Sequence, residues 1–142
     1  MLPLLVALAL VAVATGIGVA WRLLDGRARR GSGARIVPGD VGASAAAFGE
    51  AATLLQFSTD SCARCPGARR LLAGLADAHP GVRHVEVDLT DRIDLATRFG
   101  VLATPTTFVL DRQGRVRTRI IGAPRPQAVA AALAPLHREG PS

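Results

Sequence analysis

The two cysteines of this 142-residue chain are separated by only two residues, in the run CARC from Cys62 to Cys65. A thiolate is both a nucleophile and a metal ligand, so such a pair can exchange disulfides or bind a metal. A structural zinc site needs four ligands, and the three histidines lie elsewhere in the sequence. A purely structural disulfide would close too short a loop to stabilise much. We therefore favour redox chemistry and predict no metal site. Zinc shared between two copies and an inert disulfide remain the alternatives.

The elements around the pair favour a reactive first cysteine. The apolar run TLLQFS, Thr53–Ser58, predicts a buried strand, and the leucine spacing that follows predicts a helix over Cys62–Ala78. Cys62 then lies at the helix N-terminus, where free backbone N–H groups and the helix dipole favour a thiolate. Arg64 adds a nearby cation, and Pro66 suits the first helical turn.

The rest of the chain predicts a small α/β domain over residues 51–138, followed by a short tail, 139–142. Asp88 is expected in a turn and Asp91 at a helix N-cap, rather than as a catalytic pair. The further elements are strand Val82–Val87, helix Asp91–Phe99 ended by Gly100, strands Thr106–Leu110 and Val116–Ile121 around a turn at 111–114, and helix Pro126–Leu136. The order β-α-β-α-β-β-α predicts a mixed four-stranded sheet flanked by helices.

Three motifs in this order resemble the thioredoxin family. They are CARC between strand and helix, FGVLATPT at Phe99–Thr106, and TFVLDRQGRV followed by Gly122. The resemblance implies a thioredoxin-like fold in which Pro105 is the cis-proline, with an ordinary trans turn residue as the alternative. It also implies that Cys62 attacks a substrate disulfide and that Cys65 resolves the mixed disulfide.

The same resemblance assigns substrate binding and partners. The backbone at Thr104 would pair with an extended substrate segment, and Gly122 would line the substrate groove. No cofactor is expected beyond the redox-active cysteine pair. The partners would be protein disulfides and an electron donor, either a thiol reductase or a membrane thiol carrier.

The chain departs from the family beside the cysteines. Ser61 stands where the family has Trp, and Gln56 stands where it has a buried Asp. Both substitutions have a simple packing choice as the alternative explanation. Because an amide cannot accept a proton, Gln56 predicts slower deprotonation of Cys65. Because Arg64 would stabilise the thiolate, we predict a potential less reducing than the roughly −270 mV of thioredoxin.

An uncharged run, Leu2–Trp21, begins the chain. At the helical rise it is about 30 Å long, which matches the hydrocarbon core of a bilayer. Trp21 and Arg22 at its end are typical of a membrane interface. We predict a transmembrane helix over residues 1–22. A signal peptide cleaved at the small residues 12–14 is the alternative.

The basicity of the chain is concentrated just after this run. The net charge is +6 and the pI about 11.3, values that fit nucleic-acid binding. However, residues 22–35 hold five arginines opposed by one aspartate, a local net charge of +4 beside the bilayer. We therefore predict no nucleic-acid partner. By the positive-inside rule the C-terminal part lies in the cytoplasm, with the extracytoplasmic side as the alternative.

Residues 23–50 are rich in Gly, Ala and Arg and predict a linker. A short strand at Arg35–Val37 or a helical turn at Ala43–Phe48 is compatible with this composition. The combined expectation is a thiol-disulfide oxidoreductase tethered to the cell membrane by a single span, acting as a reductase. The alternative is a non-catalytic, membrane-anchored module that binds a partner through the groove near Thr104 and Pro105.

Overall fold

A computed structural model describes residues 1–139. The predicted tail therefore lies outside the described residues except for Glu139. The α-helices are α1 (Leu2–Leu24), α2 (Cys65–Ala78), α3 (Ile93–Phe99) and α4 (Pro126–Arg138). The strands are β1 (Ala28–Arg30), β2 (Ala52–Ser58), β3 (Val82–Asp88), β4 (Thr106–Asp111) and β5 (Val116–Ile121). Two 3₁₀ turns lie at Pro38–Val41 and Ala45–Ala47.

The strands form one mixed sheet in the order β1-β5-β4-β2-β3. Strands β2 and β3 are parallel, whereas β4 is antiparallel to β2 and β5, as the predicted crossover and hairpin require. All four predicted strands are present. The fifth, β1, pairs antiparallel with β5 and was not predicted.

The segment expected to be a linker is part of the fold. Strand β1 lies in register with β5, Arg35 bridges to Arg115, and Ile36 and Val41 are buried in the core. The helical turn that the composition allows at Ala43–Phe48 is present as the 3₁₀ turn at Ala45–Ala47. Backbone pairing holds β1, which is exposed at every residue, so it has no hydrophobic pattern. The interpretation of 23–50 as a linker is therefore corrected.

The alternation of side chains along the strands builds two cores, one on each face of the sheet. The α3 face packs a cluster that includes Leu55, Phe57 and Phe108. The α2/α4 face packs a cluster that includes Leu54, Leu72 and Leu133. Because successive residues of β2 point to opposite faces, the apolar run in this interior strand supplies both cores.

Helix α1 stands apart from these cores, with no buried residue. It is long and apolar enough to cross a membrane. A signal sequence near the N-terminus has the same character.

Two predicted helix starts are wrong. Helix α2 begins at Cys65 with Arg64 as N-cap, so Cys62 lies in the preceding turn. Helix α3 begins at Ile93 with Arg92 as N-cap, so Asp91 does not cap it. Asp88 does form the expected turn, since its carboxylate accepts hydrogen bonds from the backbone N–H and the hydroxyl of Thr90. Backbone turns thus take the place of the predicted first helical turns.

Candidate active site

Of the two cysteines, Cys62 lies in the turn that joins β2 to α2, and Cys65 is the first residue of α2. Cys62 and Cys65 are disulfide-bonded, with their Cα atoms 5.4 Å apart. Cys62 is half-buried, whereas Cys65 is 2% exposed. The backbone N–H of Cys65 donates to the Cys62 carbonyl at 3.2 Å, which closes the turn. This arrangement leaves the first cysteine partly exposed and buries the second.

Gln56 and His84 form a polar pair beneath Cys65. The buried Gln56 side chain donates from Nε2 to the Cys65 carbonyl at 3.2 Å. Its Oε1 accepts from His84 Nε2 at 2.9 Å. The sequence interpretation placed Gln56 near Cys65 but treated His84 as unrelated to the pair. In parallel strands Gln56 lies opposite Glu86, so period-2 alternation places His84 on the same face as Gln56. This alternation is the sequence signal from which His84 could have been identified as a neighbour of Gln56.

The charges around His84 extend this polar group toward α2. Arg69 donates to the Glu86 carboxylate at 2.5 and 2.7 Å, and Ser58 donates to it at 2.8 Å. The hydrogen bond from Arg69 is the main cause that lowers the pKa of Glu86. Burial lowers the pKa of His84, opposed by the charge of Glu86 and reinforced by that of Arg69. The imidazole beneath the disulfide is therefore held toward its neutral form.

Pro105 and Gly122 lie side by side in the structure. The Thr104–Pro105 peptide bond is cis, as the resemblance implies. The backbone N–H of Gly122 donates to the Pro105 carbonyl at 2.8 Å. The Thr104 hydroxyl lies 3.2 Å from the hydroxyl of Thr59, in the segment that leads to Cys62. Thr104 is half-buried, and within residues 1–139 its backbone N–H and C=O have no hydrogen-bond partner.

Arg64 and Gly122 both contact Asp25, the residue that follows α1. The exposed Arg64 guanidinium forms an ion pair with the Asp25 carboxylate. Gly122 has a positive φ of 86°, and a side chain there would collide with the same carboxylate. The sequence did not identify Asp25 as a site residue, because no local motif links it to the cysteines. The negative charge of Asp25 lies against the positive charge of Arg64, the residue that was expected to stabilise the Cys62 thiolate.

The remaining predicted residues border the cysteine turn. Ser61 is exposed directly before Cys62, and Pro66 lies in the first turn of α2, as predicted. Across the described residues 1–139, no group of three or more His, Cys, Asp or Glu side chains could hold a metal ion.

Comparisons with known proteins agree with this geometry. The chain is 32% identical over 84 residues to thioredoxin-2 of Pyricularia oryzae, covering 58% of this chain and 48% of that protein. It is 36% identical over 70 residues to mitochondrial thioredoxin-3 of Saccharomyces cerevisiae, covering 49% and 54%. The oxidised crystal structure of mitochondrial thioredoxin 3 from S. cerevisiae superposes with a TM-score of 0.53 and 28% identity, covering 61% of this chain and 79% of that one. No family model matches the chain.

The fold and the cysteine turn define a thioredoxin-fold protein with a CxxC cysteine pair. Its sequence is similar to those of thioredoxins over the matched 70 to 84 residues. The chain spans about half the length of the curated relatives it matches, 48% and 54% in the two named above.

Proposed function

We propose that the chain is a membrane-tethered thiol-disulfide oxidoreductase that reduces protein disulfides. The observation that carries the proposal is the half-buried Cys62, in the turn before α2, bonded to the buried Cys65 that begins the helix, in a chain whose Thr104–Pro105 bond is cis. A substrate can reach the first sulfur, whereas the second can reach only its partner. This asymmetry is what a dithiol needs to attack a substrate and then release it.

The reaction starts from the reduced pair. The Cys62 thiolate attacks one sulfur of a substrate disulfide, which forms a mixed disulfide and releases the other substrate sulfur as a thiolate. Cys65, after losing its proton, attacks Cys62 Sγ. This step forms the Cys62–Cys65 disulfide and releases the second substrate thiolate. Two electrons pass from the pair to the substrate, and the oxidised state of the described structure is the product.

The free backbone groups of Thr104 are proposed to position the substrate. A substrate segment in extended conformation would accept from the N–H and donate to the C=O of this residue, as an added strand does. The neighbouring Pro105 has no N–H of its own, so the pairing begins at Thr104. The contact would hold a substrate disulfide against Cys62.

A complete cycle needs an electron donor. Because the pair itself carries the electrons, we propose that no further cofactor takes part and that a thiol reductase or a membrane thiol carrier regenerates the dithiol. We place the domain on the cytoplasmic side, because the arginines of residues 22–35 follow the span. A single cysteine at the exposed hairpin position Gln113, with Cys62 and Cys65 replaced by Ser, tests this placement. If a membrane-impermeant maleimide labels this cysteine in intact cells, the domain lies on the extracytoplasmic side and the proposed placement is wrong.

Trapping tests the activity. In Cys65→Ser the mixed disulfide cannot be resolved, so membranes should yield substrate proteins bound through Cys62 and released by a reducing agent. The matched control Cys62→Ser should capture none. If neither the variant captures protein nor the wild type reduces a model disulfide, the enzymatic proposal fails. Unchanged partner binding after replacement of both cysteines would favour the interaction module instead.

A further inference from the structure

The juxtamembrane segment, residues 22–30, is fixed to the domain along its length. Arg125 donates from Nη2 to the Arg22 carbonyl at 2.7 Å, at the C-terminal end of α1. The Gly26 backbone N–H donates to the Ile121 carbonyl at 2.9 Å, and β1 then pairs with β5. A flexible linker over residues 23–50, as expected from the sequence, would let the domain move about 30 Å away from the span. The docked segment removes that freedom.

The same segment borders the cysteine turn. Asp25 pairs with Arg64, which lies between the two cysteines, and its carboxylate fills the space beside Gly122. Gly122 in turn is hydrogen-bonded to Pro105. The end of α1 therefore contacts the elements proposed to bind substrate.

A cleft of about 430 Å³ lies between the end of α1 and this site. One wall is apolar and exposed, formed by Trp21 and Leu24, which are 74% and 53% exposed. The lining also includes Thr104 and Gly122. Tryptophan at the end of a span lies at the level of the lipid headgroups. A substrate in this cleft would therefore meet the bilayer interface and the proposed pairing edge together.

The charges that line the cleft are mostly positive. Its lining includes the arginines Arg22, Arg27, Arg29 and Arg64 and a single acidic residue, Asp25. Since Asp25 already pairs with Arg64, the other three cations face the cleft without a neutralising partner among the residues that line it. An acidic segment fits this lining better than a basic one.

We propose that the substrate is a disulfide of another membrane protein, carried in an acidic segment within a few residues of that protein's own span. This inference rests on the proposed function and on α1 crossing the membrane. The fixed geometry is what selects the substrate, since a domain docked to its own span reaches disulfides at the bilayer surface and loses reach above it.

The distance between disulfide and bilayer is the variable to test. The full chain, reduced, is placed in phosphatidylcholine nanodiscs with synthetic single-span peptides. Each peptide carries the same disulfide loop, set about 3, 10 or 20 residues from the span by a Gly/Ser spacer. The wild type should reduce the nearest loop about tenfold faster than the farthest. A flexible insertion of about 12 Gly/Ser residues between Leu24 and Asp25 should abolish this dependence while preserving tethering.

Point variants provide a matched comparison. Arg125→Ala removes a contact that docks α1, whereas Arg138→Ala removes an exposed arginine at the C-terminal end of α4, the helix that Arg125 precedes. Arg125→Ala should weaken the distance dependence, and Arg138→Ala should leave it unchanged. A wild-type rate independent of distance would overturn the inference while leaving the proposed activity intact. Failure to reduce even a soluble loop would instead count against the proposed function.

The charge of the loop is tested separately. Loops flanked by Glu should be reduced faster than loops flanked by Lys. The double variant Arg27→Gln/Arg29→Gln should bring the two reduction rates closer together. If the cleft instead binds lipid headgroups, including about 30% phosphatidylglycerol in the nanodiscs will lower the reduction rates of both loops equally. The rate will then not depend on whether Glu or Lys flanks the loop. That outcome would overturn the acidic-segment part of the proposal.

Discussion

The two faces of the central sheet share the same strands but differ at the end that leads to the cysteines. On the α3 face, Phe57 packs edge-to-face on Phe108 at a centroid distance of 5.0 Å and lies 5.7 Å from Phe99. On the α2/α4 face the neighbouring position of the same strand is Gln56, which contacts His84 and the Cys65 carbonyl. Adjacent residues of β2 thus belong to two different environments.

This contrast separates the residues that hold the fold from those that hold the cysteine turn. Apolar burial on the α3 face stabilises the domain without directional contacts. Hydrogen bonds on the other face stabilise less per residue, but they fix the orientation of the groups beneath Cys65. Substitutions on the two faces should therefore differ in both stability and activity.

The largest effect is expected for Phe57→Ala on the α3 face. Removing this fully buried ring leaves a cavity between Phe99 and Phe108 and should lower the free energy of unfolding by about 3–5 kcal/mol. Urea unfolding of the full oxidised chain in detergent measures it. The exchange rate per folded molecule should stay near that of the wild type. A large loss of rate in the folded fraction would mean that the two faces are coupled.

A smaller effect is expected for Gln56→Leu on the opposite face. The change leaves His84 Nε2 without its acceptor and removes the donor to the Cys65 carbonyl, at a cost of about 1–3 kcal/mol. Unlike Phe57→Ala, Gln56→Leu should also lengthen the lifetime of the mixed disulfide. The reason is that Cys65 loses the hydrogen bond that fixes its position. Quenched-flow trapping measures that lifetime. The exposed Gln113→Leu is the control and should change neither quantity, and an unchanged lifetime in Gln56→Leu would contradict the assigned role.

The sequence predicted the strands and helices after residue 50 well, because each carries an apolar pattern of its own. It predicted the cysteine pair and Pro105 through motifs that are local in sequence. It missed β1, whose three exposed residues are held by backbone pairing and leave no pattern. It also missed Asp25 and His84, whose partners Arg64 and Gln56 lie 39 and 28 residues away along the chain. Contacts between distant segments depend on register and docking, which local periodicity does not encode.

The polar side chains on the α2/α4 face, Gln56, His84, Glu86 and Thr107, form what we call the polar face, and they should also make stability depend on pH. Because burial lowers the pKa of His84 in the folded protein, the unfolded chain binds more protons as the pH falls through the ordinary value of 6.5. Stability should therefore decrease as the pH is lowered from about 7.5 to 5.5. Glu86, whose pKa is also lowered, contributes below its ordinary 4.5, outside this window.

His84→Gln isolates this contribution. Glutamine can still donate to Gln56 but does not titrate, so the free energy of unfolding should become less dependent on pH between about 7.5 and 5.5. Urea unfolding at fixed pH steps measures the slope, with Glu86 and Arg69 left in place beside the site. Equal slopes in the wild type and the variant would show that His84 does not carry the dependence.

The smallest effect is expected where the polar face is imperfect. Within residues 1–139 the buried hydroxyl of Thr107, opposite Gln56 in the β2–β4 pairing, has no hydrogen-bond partner. Thr107→Val removes that group at nearly constant volume and should change stability by less than about 0.5 kcal/mol, or raise it slightly. Thr53→Val is the matched control, because the Thr53 hydroxyl accepts from the Gly49 N–H at 2.9 Å. Losing that acceptor should cost about 1–2 kcal/mol. If Thr107→Val costs as much as Thr53→Val, its hydroxyl has a partner after all, and the polar face is better satisfied than its geometry indicates.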